Sequence, residues 1–217
     1  MLSLNKKGEM IMKIRFELEN KLILDFDKKE GSPIFDEDMS YNIPMIINIY
    51  AIDDDIFDDE CDFDEEENKI EVGYIKFNYF DIELAYAEGV NVFDIFDMTC
   101  TEIASIQPYL FDKDGFPSRY AGFNANIIYI DRLFINKEFR NQGIGGMILK
   151  NIYSIIRYMA KLDVGCVALL ANPFEENSDT TIDDKDQIEK LIKFYEKCGF
   201  ERIEETQYMF KDLDHNA

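Results

Sequence analysis

The spacing of apolar residues changes period several times along this chain, and each change predicts an element. From Lys13 to Leu18 and from Leu22 to Phe26 apolar residues alternate or cluster on either side of Glu19-Asn20-Lys21, which predicts a hairpin or a strand pair. Pro33 and Asp36-Glu37-Asp38 mark a loop, and Met45 to Ile52 reads as a buried strand. Lys69 to Ile82 is strand-like again, with Val72, Tyr74, Ile75, Phe77, Tyr79 and Phe80. Val92, Ile95, Phe96, Ile103, Ile106 and Leu110 then form a helical stripe over 90–110, which Pro108 should bend or end. Asp112-Lys113-Asp114-Gly115 and Pro117 make a turn.

The second half has a clearer rhythm. An apolar run from Ile127 to Ile135 predicts a strand, and Ile148, Leu149, Ile152, Ile155, Ile156 and Met159 recur at helical spacing, ending near 163–165. Cys166 to Leu170 is a short, fully apolar strand, parallel to the preceding one through that helix crossover. After the polar stretch Asn172 to Asp186, a last helix aligns Ile188, Leu191, Ile192 and Tyr195, with Gly199 as its terminator. Strands alternating with helices predict an α/β (α+β mixed-sheet) fold.

Between the strand at 127–135 and the helix after it lies Arg140-Asn141-Gln142-Gly143-Ile144-Gly145-Gly146. Glycines at such a turn let the backbone approach a ligand, and the helix start presents unpaired N–H groups and its positive dipole end, a phosphate-binding arrangement. The dinucleotide fingerprint does not fit, because Ile148 stands where its third glycine or alanine belongs; the nucleotide-triphosphate loop fails for want of a Lys-Ser or Lys-Thr pair.

The stretch resembles the acyl-coenzyme A loop, [RQ]-x-x-G-x-[GA], of the GCN5-related N-acetyltransferase (GNAT) superfamily, with Arg140, Gly143 and Gly145 at the matching positions. Phe194-Tyr195-Glu196-Lys197-Cys198-Gly199-Phe200 resembles that family's LYEKxGF segment, and Tyr208 to Leu213 its final strand. The resemblance covers 127–213; residues 1–126 carry no matching motif, and the helices with which the family usually caps its acceptor groove are not evident there.

The resemblance implies one GNAT-like domain over 1–217: a divergent half at 10–126 and an acetyl-coenzyme A-binding core at 127–213, whose central parallel strands splay around the pantetheine arm. Backbone groups near Leu133, Phe134 and Ile135 would pair with the pantetheine amides. The N–H groups of Asn141, Gln142, Gly143, Ile144, Gly145 and Gly146 would hold the pyrophosphate, with positive charge from Arg140 and from Lys137 or Lys150. Tyr195 matches the usual proton donor to the leaving thiolate; its other reading is packing on the apolar face of the last helix. Asp131, the only carboxylate inside the central strand, shares a face with Tyr129 and Leu133. It is either the base for the acceptor amine or a strand residue paired with Arg132, Lys137 or water. Family members often carry an Asn seven positions before the tyrosine; that position is Ile188 here, and Asn172 is the candidate substitute.

Composition narrows the partners. Among 217 residues, 45 are acidic and 23 basic, a net charge of -22, which argues against nucleic acid and anionic membranes as partners. The charge favours a cationic acceptor such as a polyamine, an aminoglycoside-like amine or a protein amine. Eleven carboxylates crowd 53–67 (Asp53 to Glu67), but no register supplies both the glycine and the glutamate of an EF-hand loop, so a solvated loop is expected. Cys61, Cys100, Cys166 and Cys198 form no CxxC pair and are expected to be reduced, with no metal. No apolar run is long enough to span a bilayer and no secretory signal is evident, which points to a cytoplasmic protein. Residues 1–9 read as a dispensable start ahead of Met10 and Met12, and His215, the single histidine, as part of a tail. The expected function is N-acetyl transfer from acetyl-coenzyme A to a primary amine by direct attack in a ternary complex, with no metal and with oligomerisation left open. The alternative is a non-catalytic acidic protein that mimics nucleic acid or sequesters a basic partner.

Overall fold

A computed structural model of the chain describes residues 13–20, 25–26, 33–34, 41–52, 69–97, 99, 101–121, 124–173 and 184–213. The readings of 1–9, of the acidic run at 53–67 and of His215 lie outside the described residues. Seven strands form one sheet in the order β1-β4-β5-β6-β7-β9-β8. They are β1 (Lys13–Asn20), β4 (Asn42–Ile52), β5 (Lys69–Phe80), β6 (Ile127–Ile135), β7 (Cys166–Leu170), β8 (Glu201–Arg202) and β9 (Tyr208–Asp212). Every neighbouring pair is antiparallel except β6 and β7, which run parallel through a helical crossover. The sheet is mixed, as the alternation of strands and helices predicts.

Two readings of the first half need correction. The strand at 13–18 does not form a hairpin with the segment that follows it. Instead β1 pairs along its length with β4, from Lys13 opposite Ile52 to Asn20 opposite Met45. Asp25–Phe26 (β2) pairs with Pro33–Ile34 (β3) in a separate two-stranded ribbon. The longer ladder also lets Ile14, Phe16 and Leu18 pack against the main core, which a local hairpin would forgo. The region 90–110 is not one helix: α1 (Ile82–Glu88), α2 (Val92–Asp97) and α3 (Thr101–Leu110) follow β5 in succession. Asp81 caps α1 by accepting from the Leu84 N–H, and Gly89, at φ 73°, ends it. Pro108 is accommodated in the last turn of α3.

These three helices cover one face of the sheet. Their core joins Phe80, Phe96, Ile103, Ile106 and Leu110 to Ile127, Tyr129, Cys166 and Ala168. The other face carries α4 (Ile144–Lys150), α5 (Ile152–Met159) and α6 (Lys185–Lys197) over Ile75, Phe77, Ile128, Ile130, Val167 and Leu169. Alternate residues of β6 and β7 thus serve two cores, which is why both strands read as continuous apolar runs. The single helix expected after the glycine turn is interrupted at Asn151, whose side-chain amide donates to the Met147 carbonyl at 2.8 Å while its own N–H reaches the Met147 and Ile148 carbonyls. Gly199, at φ 88°, terminates α6 as expected: its N–H reaches the Glu196 carbonyl at 3.0 Å and the Phe200 N–H reaches that of Tyr195 at 3.1 Å. Among the described residues no helix is long and apolar enough to cross a membrane.

β5 and β6 carry an irregularity that shapes the site. Lys76 lies opposite Arg132 and Phe77 opposite Ile130, so Asp131 is an extra residue in β6, a β-bulge. Three residues from Lys76 along β5, Gly73 lets the strands meet: a Cβ there would lie 2.0 Å from the Phe134 carbonyl oxygen.

Candidate functional site

The ladder between β6 and β7 runs from Ile127 opposite Cys166 to Ile130 opposite Leu169 and stops. β6 continues for five residues beyond that point and β7 for one. The parted ends open a cleft of about 640 Å³ lined by Ile130 to Ile135, Leu169, Leu170, Asn172 and one side of α6 (Gln187, Lys190, Leu191, Phe194, Tyr195). Tyr74, Arg140, Gly145 and Pro173 complete the wall. Of the residues singled out in the sequence, Asp131, Leu133, Phe134, Ile135, Arg140, Gly145, Asn172 and Tyr195 therefore meet in one cleft, while Lys137, Asn141, Gln142, Gly143, Ile144, Gly146 and Lys150 do not line it.

The glycine turn stands at the end of β6. After a 3-10 turn over Lys137–Phe139, Asn141 takes φ 60° and Gly143 φ 80°, and Gly143 becomes the N-cap of α4. Its carbonyl accepts the Met147 N–H at 2.9 Å. Among the described residues no acceptor takes the backbone N–H of Asn141, Gln142, Gly143, Ile144, Gly145 or Gly146. Six successive donors at a helix start are a ready anion cradle. A Cβ at Gly143 would meet nothing within 4 Å, so the space beside it is open. Arg140 is fixed at the rim: its Nε donates to the Ile135 carbonyl at 2.8 Å, and its guanidinium lies 5.6 Å from the Phe134 ring centroid. Gln142 donates its side-chain amide to the Glu138 carbonyl at 2.8 Å, bracing the turn.

α4 begins close to the end of α6. A Cβ at Gly145 would lie 3.7 Å from Phe194 and 3.8 Å from Leu133, and one at Gly146 3.8 Å from Phe194. Lys211 of β9 ties the two helices, donating to the carbonyls of Leu149 (3.1 Å), Lys150 (3.3 Å) and Cys198 (3.1 Å) at their C-terminal ends. Burial holds its ammonium below the usual lysine range. Cys198 and Cys166 are buried free thiols; burial pushes the Cys198 thiol up against the pull of Lys150 and Lys211.

Tyr195 is half-buried, packed beside Phe194 and edge-on to Phe200, with ring centroids at 5.4 and 5.9 Å. It lines the cleft, and no described residue hydrogen-bonds its hydroxyl. Burial, and secondarily the Cys198 thiolate, push its pKa up to about 12. The same side chain thus packs on the apolar face of the last helix and lines the cleft. Asp131 departs from the expected geometry. The bulge breaks the alternation, so Tyr129 points into the α1–α3 core while Leu133 packs on the α4–α6 side. Its carboxylate pairs with Lys76 of β5 at 2.7 Å rather than with Arg132, Lys137 or water alone. Asn172 lies just past β7, its N–H on the Leu170 carbonyl at 2.9 Å, and borders the cleft. Ile188, seven positions before Tyr195, is buried in the core.

Tyr74 and Lys76 were not legible as site residues, because only the register of β5 against β6 brings Tyr74 onto Phe134 and Lys76 to Asp131. Gln187, Leu191 and Phe194 were within reach: they share the helical face of Tyr195 at spacings of three and four.

Residues 106–202, from within α3 to β8, match a family model described as an acetyltransferase (GNAT) domain. No curated protein matches the chain.

Proposed function

The chain belongs to the GNAT acetyltransferase superfamily through residues 106–202, and from that premise we propose that it transfers the acetyl group of acetyl-coenzyme A to a primary amine by direct attack in a ternary complex. The observation that carries this reading is the parting of β6 from β7 directly ahead of a turn with six unclaimed N–H groups. An extended, hydrogen-bonding arm with a diphosphate at its far end fits that combination: the gap past Ile130 receives the arm and the turn receives the anion.

When bound, the coenzyme supplies an acyl group activated as a thioester. The chain's own residues do the rest. The N–H groups of residues 141–146 and the Arg140 guanidinium hold the diphosphate. The exposed edge of β6, from Leu133 to Ile135, offers backbone groups to the amides of the arm, and backbone N–H donation near the bulge polarises the acyl carbonyl. Asn172 borders the arm from the β7 side. Asp131, steadied by Lys76, orients the acceptor amine and takes the proton it sheds. A nitrogen–carbon bond forms, the carbon–sulfur bond breaks, and Tyr195 gives its phenolic proton to the departing sulfur. With a pKa of about 12, Tyr195 keeps that proton throughout the neutral range.

Isothermal titration of acetyl-coenzyme A into Gly143→Asp tests the cradle. The substitution puts a carboxylate beside the unclaimed donors and a side chain at φ 80°. Affinity should fall roughly 10-fold or more, the factor for about 1.4 kcal/mol. Wild-type affinity in a folded variant would sink the site assignment.

A further inference from the structure

We infer that Lys211 is a positioning residue for the reaction: it fixes the end of α6 that carries Tyr195 to the helix that carries the diphosphate cradle, and so sets the phenol against the coenzyme's sulfur. The inference rests on the acetyltransferase reading above and deepens it. Lys211 belongs to β9 and does not line the cleft. An ammonium has three N–H donors. Here each finds its own carbonyl, Leu149 at 3.1 Å, Lys150 at 3.3 Å and Cys198 at 3.1 Å. Leu149 and Lys150 close α4, and Cys198 is the C-cap of α6. Among the described residues no carboxylate pairs with Lys211, so its charge is committed to two helix ends and not to an ion pair.

Two chains of contacts lead away from this ammonium. One reaches the phenol. The residues on either side of Gly199 clamp the backbone of Tyr195: the Cys198 N–H donates to its carbonyl at 2.8 Å and the Phe200 N–H at 3.1 Å. The Phe200 ring meets Lys211 at 5.7 Å and the Tyr195 ring at 5.9 Å. The other chain reaches the cradle. α4 is only seven residues long, so the helix that Lys211 holds at Leu149 and Lys150 begins at the unclaimed N–H groups. At that start α4 meets α6 through small residues: a Cβ at Gly146 would lie 3.8 Å from Phe194 and 4.0 Å from the Cys198 Sγ. The contact at the start keeps the cradle in place without help from Lys211. The joint at the far end has the ammonium alone, and without it three carbonyls must turn to water. The coenzyme would then still bind, but the phenol would no longer be held at its distance from the sulfur. A misplacement of about 1 Å is enough to cost on the order of 10²-fold in rate.

The test uses the full chain and follows thiol release from acetyl-coenzyme A with spermidine and with phenethylamine. Calorimetry with acetyl-coenzyme A gives the affinity and, through its stoichiometry, the folded fraction. Per folded molecule, kcat of Lys211→Met should fall roughly 10- to 100-fold, while coenzyme affinity stays within about threefold of wild type. In a Tyr195→Phe background the same substitution should change kcat by less than about threefold, because residues that act as a unit are not additive. Lys211→Arg keeps the cation but spreads its donors in a planar fork. It should lie between Lys211→Met and wild type, and it carries the comparison if the methionine variant does not fold. A second readout needs no acceptor and decides where neither amine is used: carbon-13 at tyrosine Cζ. The resonance missing from Tyr195→Phe should move when coenzyme A is added to wild type, and far less in Lys211→Met. A clasp that only stabilises the fold would leave kcat per folded molecule and that movement unchanged. Such a result, equal losses in both backgrounds, or a loss confined to affinity would each overturn the inference and leave acetyl transfer standing. An absent coenzyme isotherm in wild type would remove both readings together.

Discussion

Tyr195 owes its character to where α6 ends. The helix stops at Cys198, the chain turns back through Gly199, and the phenol is left against Phe194 and Phe200 in the wall of the cleft. Removing that hydroxyl in Tyr195→Phe leaves the ring packed, so acetyl-coenzyme A affinity by calorimetry should hold, while turnover should fall roughly 10²- to 10⁴-fold, the usual scale for a positioned proton donor. The raised pKa also makes a stability statement. In the unfolded chain the phenol titrates near 10, in the fold at about 12, so the folded state holds the proton more tightly. This contribution is fully present below about pH 10 and is lost as the pH rises to about 12. Urea midpoints of wild type should therefore drop more steeply than those of Tyr195→Phe over that interval; parallel curves would return the phenol to an ordinary environment. Tyr79, buried and also pushed up, remains in both proteins and cancels in the comparison. At this scale the sequence was informative where chemistry is local. Arg140, Gly143, Gly145 and Tyr195 sit in short motifs whose spacing is itself the signal. Asp131 was harder: its partner Lys76 is chosen by the register of two strands separated by three helices, and the bulge that turns it out of alternation leaves no mark in the spacing of apolar residues.

Among the elements, α4, α6 and β9 meet at one ammonium. Lys211 reaches three carbonyls at two helix ends, where the helix dipoles favour a cation. Lys211→Met should fill much of the same volume but leave those carbonyls without their donor. A loss of about 1–3 kcal/mol in urea-unfolding free energy is expected, the range for a hydrogen bond to a charged group. Unchanged stability would mean that water replaces the ammonium at no cost. The elements of the second half were readable because β6, the glycine turn, α4–α5 and β7 follow one another closely along the chain, each with an apolar pattern of its own. The first half was not. β1 ignores its nearest successor for an eight-residue ladder with β4, and α1 starts directly at the end of a strand whose apolar run continues into Ile82. The break between α2 and α3 was hidden by a stripe that keeps helical spacing across it.

At the scale of the whole molecule, the sheet is sandwiched between α1–α3 and α4–α6, and a net charge of -22 surrounds it. Self-repulsion of that size loosens a compact state. Raising salt from about 0.01 M to about 1 M shortens the screening length from roughly 30 Å to roughly 3 Å. The melting temperature by differential scanning calorimetry should rise by several degrees across that range; a fall would show that attractive pairs such as Lys69–Glu17 and Arg202–Glu189 outweigh the repulsion. The fold class was legible because both central strands are apolar over the residues they pair, Ile127 to Ile130 and Cys166 to Leu169, the mark of burial on two faces. That the second face is covered by helices inserted between β5 and β6 was not, since a continuous apolar strand does not say what covers it. The parting of β6 from β7 has a consequence in time as well as in space. Past Ile130, the amides that β6 turns towards β7 have no ladder to hold their hydrogens, whereas those from Ile127 to Ile130 are held within a doubly covered sheet. In deuterated water the peptide spanning 131–135 should therefore take up label far sooner than the one spanning 127–130. Acetyl-coenzyme A should slow the first and leave the second almost untouched. One strand would then keep two clocks, and the point where they change rate would mark how deep the coenzyme reaches.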